Sequence, residues 1–361
     1  MSVVWCANKF ISLSRLSRIT LMSLSYFVRA ECVVLALLCL TITSEGRKYS
    51  NPVYPKDWPD PTVWRADDGL FYSTSTGQNH TRPLLCSKNL VDWEYSDIIP
   101  FDETVMAHLR ELGVHRWAPD LAVVNGCRIL YFSVLNNARD SKIVALRETD
   151  KPGHFEYVGV VTDSNHTGIP DTIDPEVITD PTTGKVWMFF GSIGRMHRVQ
   201  LTQDGTRVAD DAEYEVVAGL CDKDCPSRSQ VFEGAYLHFH DGWWYLFVSA
   251  GWYANHTYQI KVGRSRTLEG EFVDREGNSM TKGYGTPFIS SEKGDYFFGP
   301  GHNSEIFTDS EGKDWMLYHC HQNNDTPADR PMMLQRLMWD SDGWPYVEGG
   351  KPVSAGYKPK W

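Results

Sequence analysis

The chain reads as an all-β protein, a five-bladed β-propeller of four-stranded antiparallel blades around a central channel. Two observations carry that expectation. A hairpin unit recurs five times, and the spacing of its copies suits one blade each. The clearest copy is FEGAYLHFHDGWWYLFVSAG, from Phe232 to Gly251, with strands over Ala235–His240 and Trp243–Ser249 and an Asp241-Gly242 turn. The others begin at Asp60, Asp120, Asp174 and His302. Each has a polar head, a strand, a turn ending in glycine (Gly69, Gly126, Gly184, Gly242, Gly312) and an aromatic-rich strand. With Glu233 heading the fourth unit, the heads are 60, 54, 59 and 69 positions apart. A β-solenoid would need much shorter units.

The first 47 residues are of another kind. Arg15, Arg18 and Arg29 precede the apolar run Cys32 to Ile42, and small and polar residues follow to Gly46. This is the order of a secretory signal, with Met22 as an alternative start. The run is short for a span of about 20 residues, so no stable membrane span is expected after signal removal. An uncleaved N-terminal anchor is the competing reading. The expected division is a targeting segment over 1–47 and a propeller over 48–361, in a secreted, periplasmic or cell-surface protein.

Of 35 basic and 46 acidic residues, five and two lie in that head, leaving 30 against 44. With no run of Lys or Arg remaining, a nucleic-acid partner is not expected. A neutral polysaccharide or oligosaccharide suits an acidic, aromatic-rich chain better. Of the five cysteines beyond the head, Cys221 and Cys225 could close a small loop disulfide. Cys86, Cys127 and Cys320 read as buried thiols. Asn79, Asn165 and Asn255 each stand in an Asn-His-Thr glycosylation signal.

Taken in order, Pro59 and Pro61 fix the backbone around Asp60. Phe101 to Leu112 has helical spacing and ends at Gly113, giving a short helix or extended loop at the rim. Trp117, just before Asp120, is either core or a flat platform for a sugar ring. In the third unit Gly191-Ser192 closes the inner hairpin with small residues that admit a close approach. Trp252 and Tyr253 follow the fourth hairpin where aromatics can face solvent. His319 and His321 alternate along a strand and read as packing. The last strand must be closed against early sequence, with Val53 or its neighbours as candidates. Outer strands are expected from the segments that follow the hairpins, including the stretch ending near Phe272.

Inner strands of a propeller line the channel, so equivalent positions gather at one mouth. Four carboxylates (Asp60, Asp120, Asp174, Glu233) and His302 are expected there. Like charges at close range cannot all ionise, so at least one pKa must rise. One ionised and one protonated carboxyl on either side of a bond is the apparatus of glycoside hydrolysis.

In Pro59-Asp60-Pro61, Trp117-Ala118-Pro119-Asp120, Ile173-Asp174-Pro175, Glu233-Gly234 with Tyr236, and Gly299-Pro300-Gly301-His302, the chain resembles glycoside hydrolase family 43 over nearly all of residues 51 to 347. The resemblance implies an inverting mechanism, with Asp60 as general base, Glu233 as general acid, and Asp174 orienting Glu233 and raising its pKa. Inversion implies carboxyls roughly 6.5–9.5 Å apart. Within the family the likeness is to arabinanase-like members, which implies hydrolysis of α-L-arabinofuranosyl linkages. It also implies a hydrated Ca²⁺ in the channel, with His302 as its ligand. Trp117, Asp120, Ser192, Trp252 and His302 are expected to bind substrate. The alternatives are a β-xylosidase or α-L-arabinofuranosidase with the same trio, a retaining fructan-type enzyme, and a non-catalytic sugar-binding propeller. Retention of all three carboxylates argues against the last. Ile173 stands where the fructan type would want arginine.

Overall fold

The computed structural model describes residues 48–77, 82–219, 231–323 and 329–361. The expected signal, the Cys221–Cys225 disulfide and the Asn79 signal lie outside these residues. Residues 49–361 form one compact unit.

Five antiparallel sheets succeed one another along the chain, each running outward in chain order. Their innermost strands are Thr62–Arg65, His115–Val124, Glu176–Thr179, Phe232–His240 and, in the fifth blade, the broken pair Phe297–Gly301 and Ile306–Thr308. The five-bladed reading therefore holds. The turn glycines 69, 126, 184, 242 and 312 all have positive φ, between 70° and 81°. At these hairpin turns glycine enters the left-handed region without a Cβ penalty.

Alternation along the strands sends apolar side chains into the seams between blades. Five buried clusters result, one per seam. Phe189 packs on Phe272 in one (6.2 Å) and Phe247 on Phe288 in the next (5.3 Å). The rim helix spans Glu103–Leu112. Asp102 caps it by accepting the Val105 N–H at 2.9 Å, and Val105, Met106 and Leu109 face the core.

Two sequence expectations need correction. The fourth blade's outer strand is Thr286–Ile289, whereas Phe272 sits in a side excursion held by bridges of Val273 to Arg264 and Ser279. Its ring is consumed as core, which mimics the strand-turn-aromatic pattern of the other blades. Cys86 is only half-buried and Cys127 is exposed, because Cys127 opens its strand directly after the turn; Cys320 alone is buried.

The ring closes as expected near Val53. Tyr54 and Met332 exchange backbone hydrogen bonds at 3.3 and 3.1 Å. Lys48–Ser50 pairs with Ala355–Tyr357, and Trp361 packs on Phe71 of the first blade at 4.7 Å. Buried Asn51 clasps both sides. Its Nδ2 donates to Leu334 O (2.8 Å) and Val353 O (2.9 Å), and its Oδ1 accepts the Leu334 N–H (2.9 Å). Asn51→Ala strands those three groups, and we expect a loss of about 3 kcal/mol, read as a lower urea midpoint. An unchanged midpoint would mean that the closure lies elsewhere.

Candidate active site

Five left-handed residues turn the chain into the innermost strands: Asp60 (φ 51°), Ala118 (45°), Asp174 (56°), Gly234 (59°) and His302 (49°). These are the true equivalent corners. Non-glycine residues at such φ are strained and persist only where their surroundings hold them. Here each non-glycine corner N–H donates to a side chain of the preceding blade. The acceptors are His319 Nδ1 for Asp60 (3.1 Å), Thr76 Oγ1 for Ala118 (2.7 Å), Ser133 Oγ for Asp174 (3.0 Å) and Ser249 Oγ for His302 (2.7 Å).

Asp120 and Glu233 are therefore not corners. Asp120 lies two residues past Ala118, in a second ring one layer down the channel. In that ring each blade accepts a backbone N–H from the next. The donors Leu121, Val177, Leu237, Ile306 and Val63 meet Thr62 Oγ1, Asp120 Oδ2, Glu176 Oε1, Tyr236 Oη and Glu305 Oε2 at 3.2, 2.9, 3.0, 2.8 and 2.8 Å. The two layers lie only two or three residues apart along each inner strand, so sequence spacing alone merged them. Burial raises Asp120 to about 7 and Glu305 to about 8, and pushes Glu176 well above the usual range, with Asp120's charge second.

At the mouth, Asp60 is buried between a guanidinium and two imidazoles. Its Oδ1 lies 3.1 Å from the Arg330 guanidinium, 3.2 Å from His319 Nδ1 and 3.3 Å from His302 Nδ1. Burial alone would raise its pKa. Arg330, His302 and His319 outweigh that and hold it well below the usual carboxylate range. Burial lowers His319 to about 3, so its imidazole is neutral. One neutral nitrogen cannot both accept the Asp60 N–H and donate to Oδ1, so these two contacts belong to alternative tautomers.

Glu233 stands one residue before the Gly234 corner. Ser192 Oγ donates to its Oε2 at 2.6 Å and Tyr258 Oη to its Oε1 at 2.7 Å. Tyr258 stacks on His319 at 5.8 Å, so ring against ring links the Glu233 side to the Asp60 side. A Cβ on Gly234 would meet the His302 ring at 3.0 Å, which shows how closely that corner approaches the Asp60 group. Asp174 is enclosed beneath. Burial raises its pKa well above normal, followed by the charges of Glu233 and Asp60, while the Gly234 N–H pulls the other way. Asp171, half-buried beside them, is raised to about 6 by burial and then by Glu233. The raised pKa of Asp174 favours a proton at this corner, beside Glu233.

Of the residues expected to touch sugar, Ser192 is engaged by Glu233 and Asp120 by Val177. Trp117 is 38% exposed and lines a cavity of about 470 Å³ beside Asp60, walled also by Pro59, Thr76 and Arg330. Trp252 is half-buried and packs on Tyr253 at 4.7 Å; Tyr253 in turn carries the Arg330 guanidinium at 5.2 Å. Sequence reasoning missed His319, Arg330, Tyr258 and Asp171.

Among the described residues no group of three or more His, Cys, Asp or Glu is arranged to hold a metal. His302 Nδ1 is engaged by Asp60. At this corner, among the described residues, His319 Nε2 is a buried nitrogen left without a partner, so an ion here would take that protein nitrogen and otherwise water.

One carboxylate kept ionised by a guanidinium, and another set across the same opening above a proton-retaining partner, can perform acid–base cleavage. In a propeller mouth edged by aromatics that chemistry makes the protein a glycoside hydrolase. The chain belongs to the glycosyl hydrolases family 43, whose model matches residues 49–345. It is 31% identical to the extracellular exo-α-(1→5)-L-arabinofuranosidase of Cellvibrio japonicus over 87% of this chain and 91% of that one. It is 27% identical to an extracellular endo-α-(1→5)-L-arabinanase of Bacillus subtilis over 79% and 86%. The structure of a Cellvibrio cellulosa α-L-arabinanase complexed with arabinohexaose superposes with TM-score 0.68 at 30% identity, covering 81% of this chain and 95% of that one.

Proposed function

We propose that the protein hydrolyses α-L-arabinofuranosyl linkages of arabinan-type polysaccharide, with inversion. The observation that carries this reading is the contrast between the two sides of the mouth. Asp60 is fixed and ionised by Arg330, whereas Glu233 is held by two hydroxyl donors over the proton-retaining Asp174. Asp60 accepts a proton from the attacking water. Glu233 delivers one to the leaving oxygen. Asp174, whose pKa burial and the neighbouring charges raise, keeps a proton beside Glu233 and orients it for that delivery. Ser192 and Tyr258 aim the Glu233 carboxyl; when it is protonated, the hydroxyl at the protonated oxygen accepts and the other still donates. The arabinan specificity rests on what the relatives are named for.

Calcium belongs to the same proposal, with His319 Nε2 as the protein ligand in place of the expected His302. Bound there, it would fix the imidazole proton on Nδ1, facing Asp60. Secretion is supported by the charged-apolar-small head and by relatives named extracellular. Among the described residues no helix is long and apolar enough to cross a membrane.

Product analysis on linear arabinan tests the reading, with proton NMR of the first product formed. The expected first product is the β-anomer. An α-anomer would overturn inversion, and faster cleavage of aryl xylosides than of arabinan would replace the substrate.

A further inference from the structure

The cavity beside Asp60 carries more positive charge than a neutral polymer requires. Arg82, Arg116 and Arg330 all line it, with His115 and Trp117. Arg330 is neutralised by Asp60 at 3.1 Å. Arg116 has no such partner. It is only 8% exposed and, among the described residues, makes no ion pair and leaves its buried Nε without a hydrogen bond. Among the described residues its hydrogen bond is a long one, Nη1 to Gly113 O at 3.4 Å, at the end of the rim helix. The negative end of that helix is favourable for a cation but is worth only a fraction of a counter-ion. Exposed Arg82 likewise has no acidic partner among the described residues. The acid in the wall is Asp57, whose Oδ1 already accepts the Arg330 N–H at 2.9 Å. All this sits in a chain of net charge −11.

A guanidinium taken out of water without an anion is costly, and a planar fork is matched best by a carboxylate. Trp117, exposed in the same wall, offers a face for a sugar ring. We propose that this cavity is a subsite for a uronic-acid residue, whose carboxylate pairs with Arg116 and Arg82 while its ring lies against Trp117. The proposal rests on the propeller mouth being the substrate site and extends it. The polymer accepted would then carry acidic sugars next to the bond cleaved, and a wholly neutral chain would leave Arg116 unpaired.

Calorimetric titration with digalacturonic acid and with its dimethyl ester tests this directly. The ester keeps the shape and removes the charge. Neither probe contains an arabinofuranosyl bond, so the readout does not depend on arabinan hydrolysis. The wild-type protein should bind the acid about tenfold more tightly than the ester at low salt, as expected for charge-assisted bonds. The preference should shrink in high salt. It should fall below about threefold in Arg116→Met, the remainder being Arg82's weaker, solvent-screened share. Should that variant fail to fold, Arg82→Gln decides, with a loss of about threefold expected for an exposed pair. Equal binding of acid and ester overturns the proposal, as does a preference that survives in both variants. Inorganic phosphate binding as tightly as the diacid also overturns it, since the cavity would then be a general anion trap.

Discussion

Glu233→Gln should cut arabinan hydrolysis by at least a hundredfold, within the range of about 10²–10⁴ that a positioned general acid supplies. The amide is close to isosteric. Its oxygen accepts one of the two hydroxyls and its NH₂ donates to the other, so the Ser192 and Tyr258 contacts, at 2.6 and 2.7 Å in the native protein, have replacements. The melting temperature should therefore stay within a few degrees. The defect should also depend on the leaving group. A nitrophenyl arabinofuranoside needs little protonation to depart and should lose much less than the polymer. Ser192→Ala, which removes one donor and no proton, should fall between. Unchanged turnover in Glu233→Gln would mean a sugar-binding propeller with incidental activity, or an acid elsewhere in the mouth.

Stability should fall as pH rises from about 4 to about 8. Asp120 and Glu305 have folded pKa values raised to about 7 and about 8, mainly by burial. A carboxyl raised in this way binds its proton more tightly in the native state. Its contribution is complete below the unfolded value near 4 and is lost as pH passes the folded one. Asp120→Asn removes one charge from the inner ring. The amide oxygen still accepts the Val177 N–H and the NH₂ can donate to Glu176. At pH 8 this variant should melt above the wild type by several degrees, and at pH 5 the two should melt alike. A wild-type profile that is flat from pH 5 to 8, with no gain in the variant, would mean that the ring holds its charges without strain. Asp60, whose pKa is depressed, works in the opposite sense and erodes stability only in strong acid.

Sequence reading recovered the blades because hairpins are local: a turn glycine, an alternating strand and an aromatic strand each leave a short-range mark. It singled out Asp60, Asp174 and Glu233 through their flanking Pro and Gly residues. It confused the two channel layers, since Asp120 and Ala118 differ by one step of the pleat and only the φ at Ala118 tells them apart. Arg330 and Tyr258 stand in segments with no repeat signature and reach the mouth by tertiary folding alone. His319 was legible in retrospect. The second strands carry Ser133 and Ser249 where the fifth carries His319, and each of these receives a corner N–H. A histidine replacing a hydroxyl in that series marks the corner it serves as different.

The first and last described strands, Lys48–Ser50 and Ala355–Tyr357, pair with each other. A load applied between residue 48 and residue 361 would therefore bear first on that small ribbon and on the Trp361 indole lodged against Phe71. That ribbon and indole form the outermost latch among the described residues, ahead of the Asn51 and Tyr54 contacts. For tethering to a solid support, a point on an exposed hairpin turn such as Asp67-Asp68-Gly69 leaves that latch unloaded.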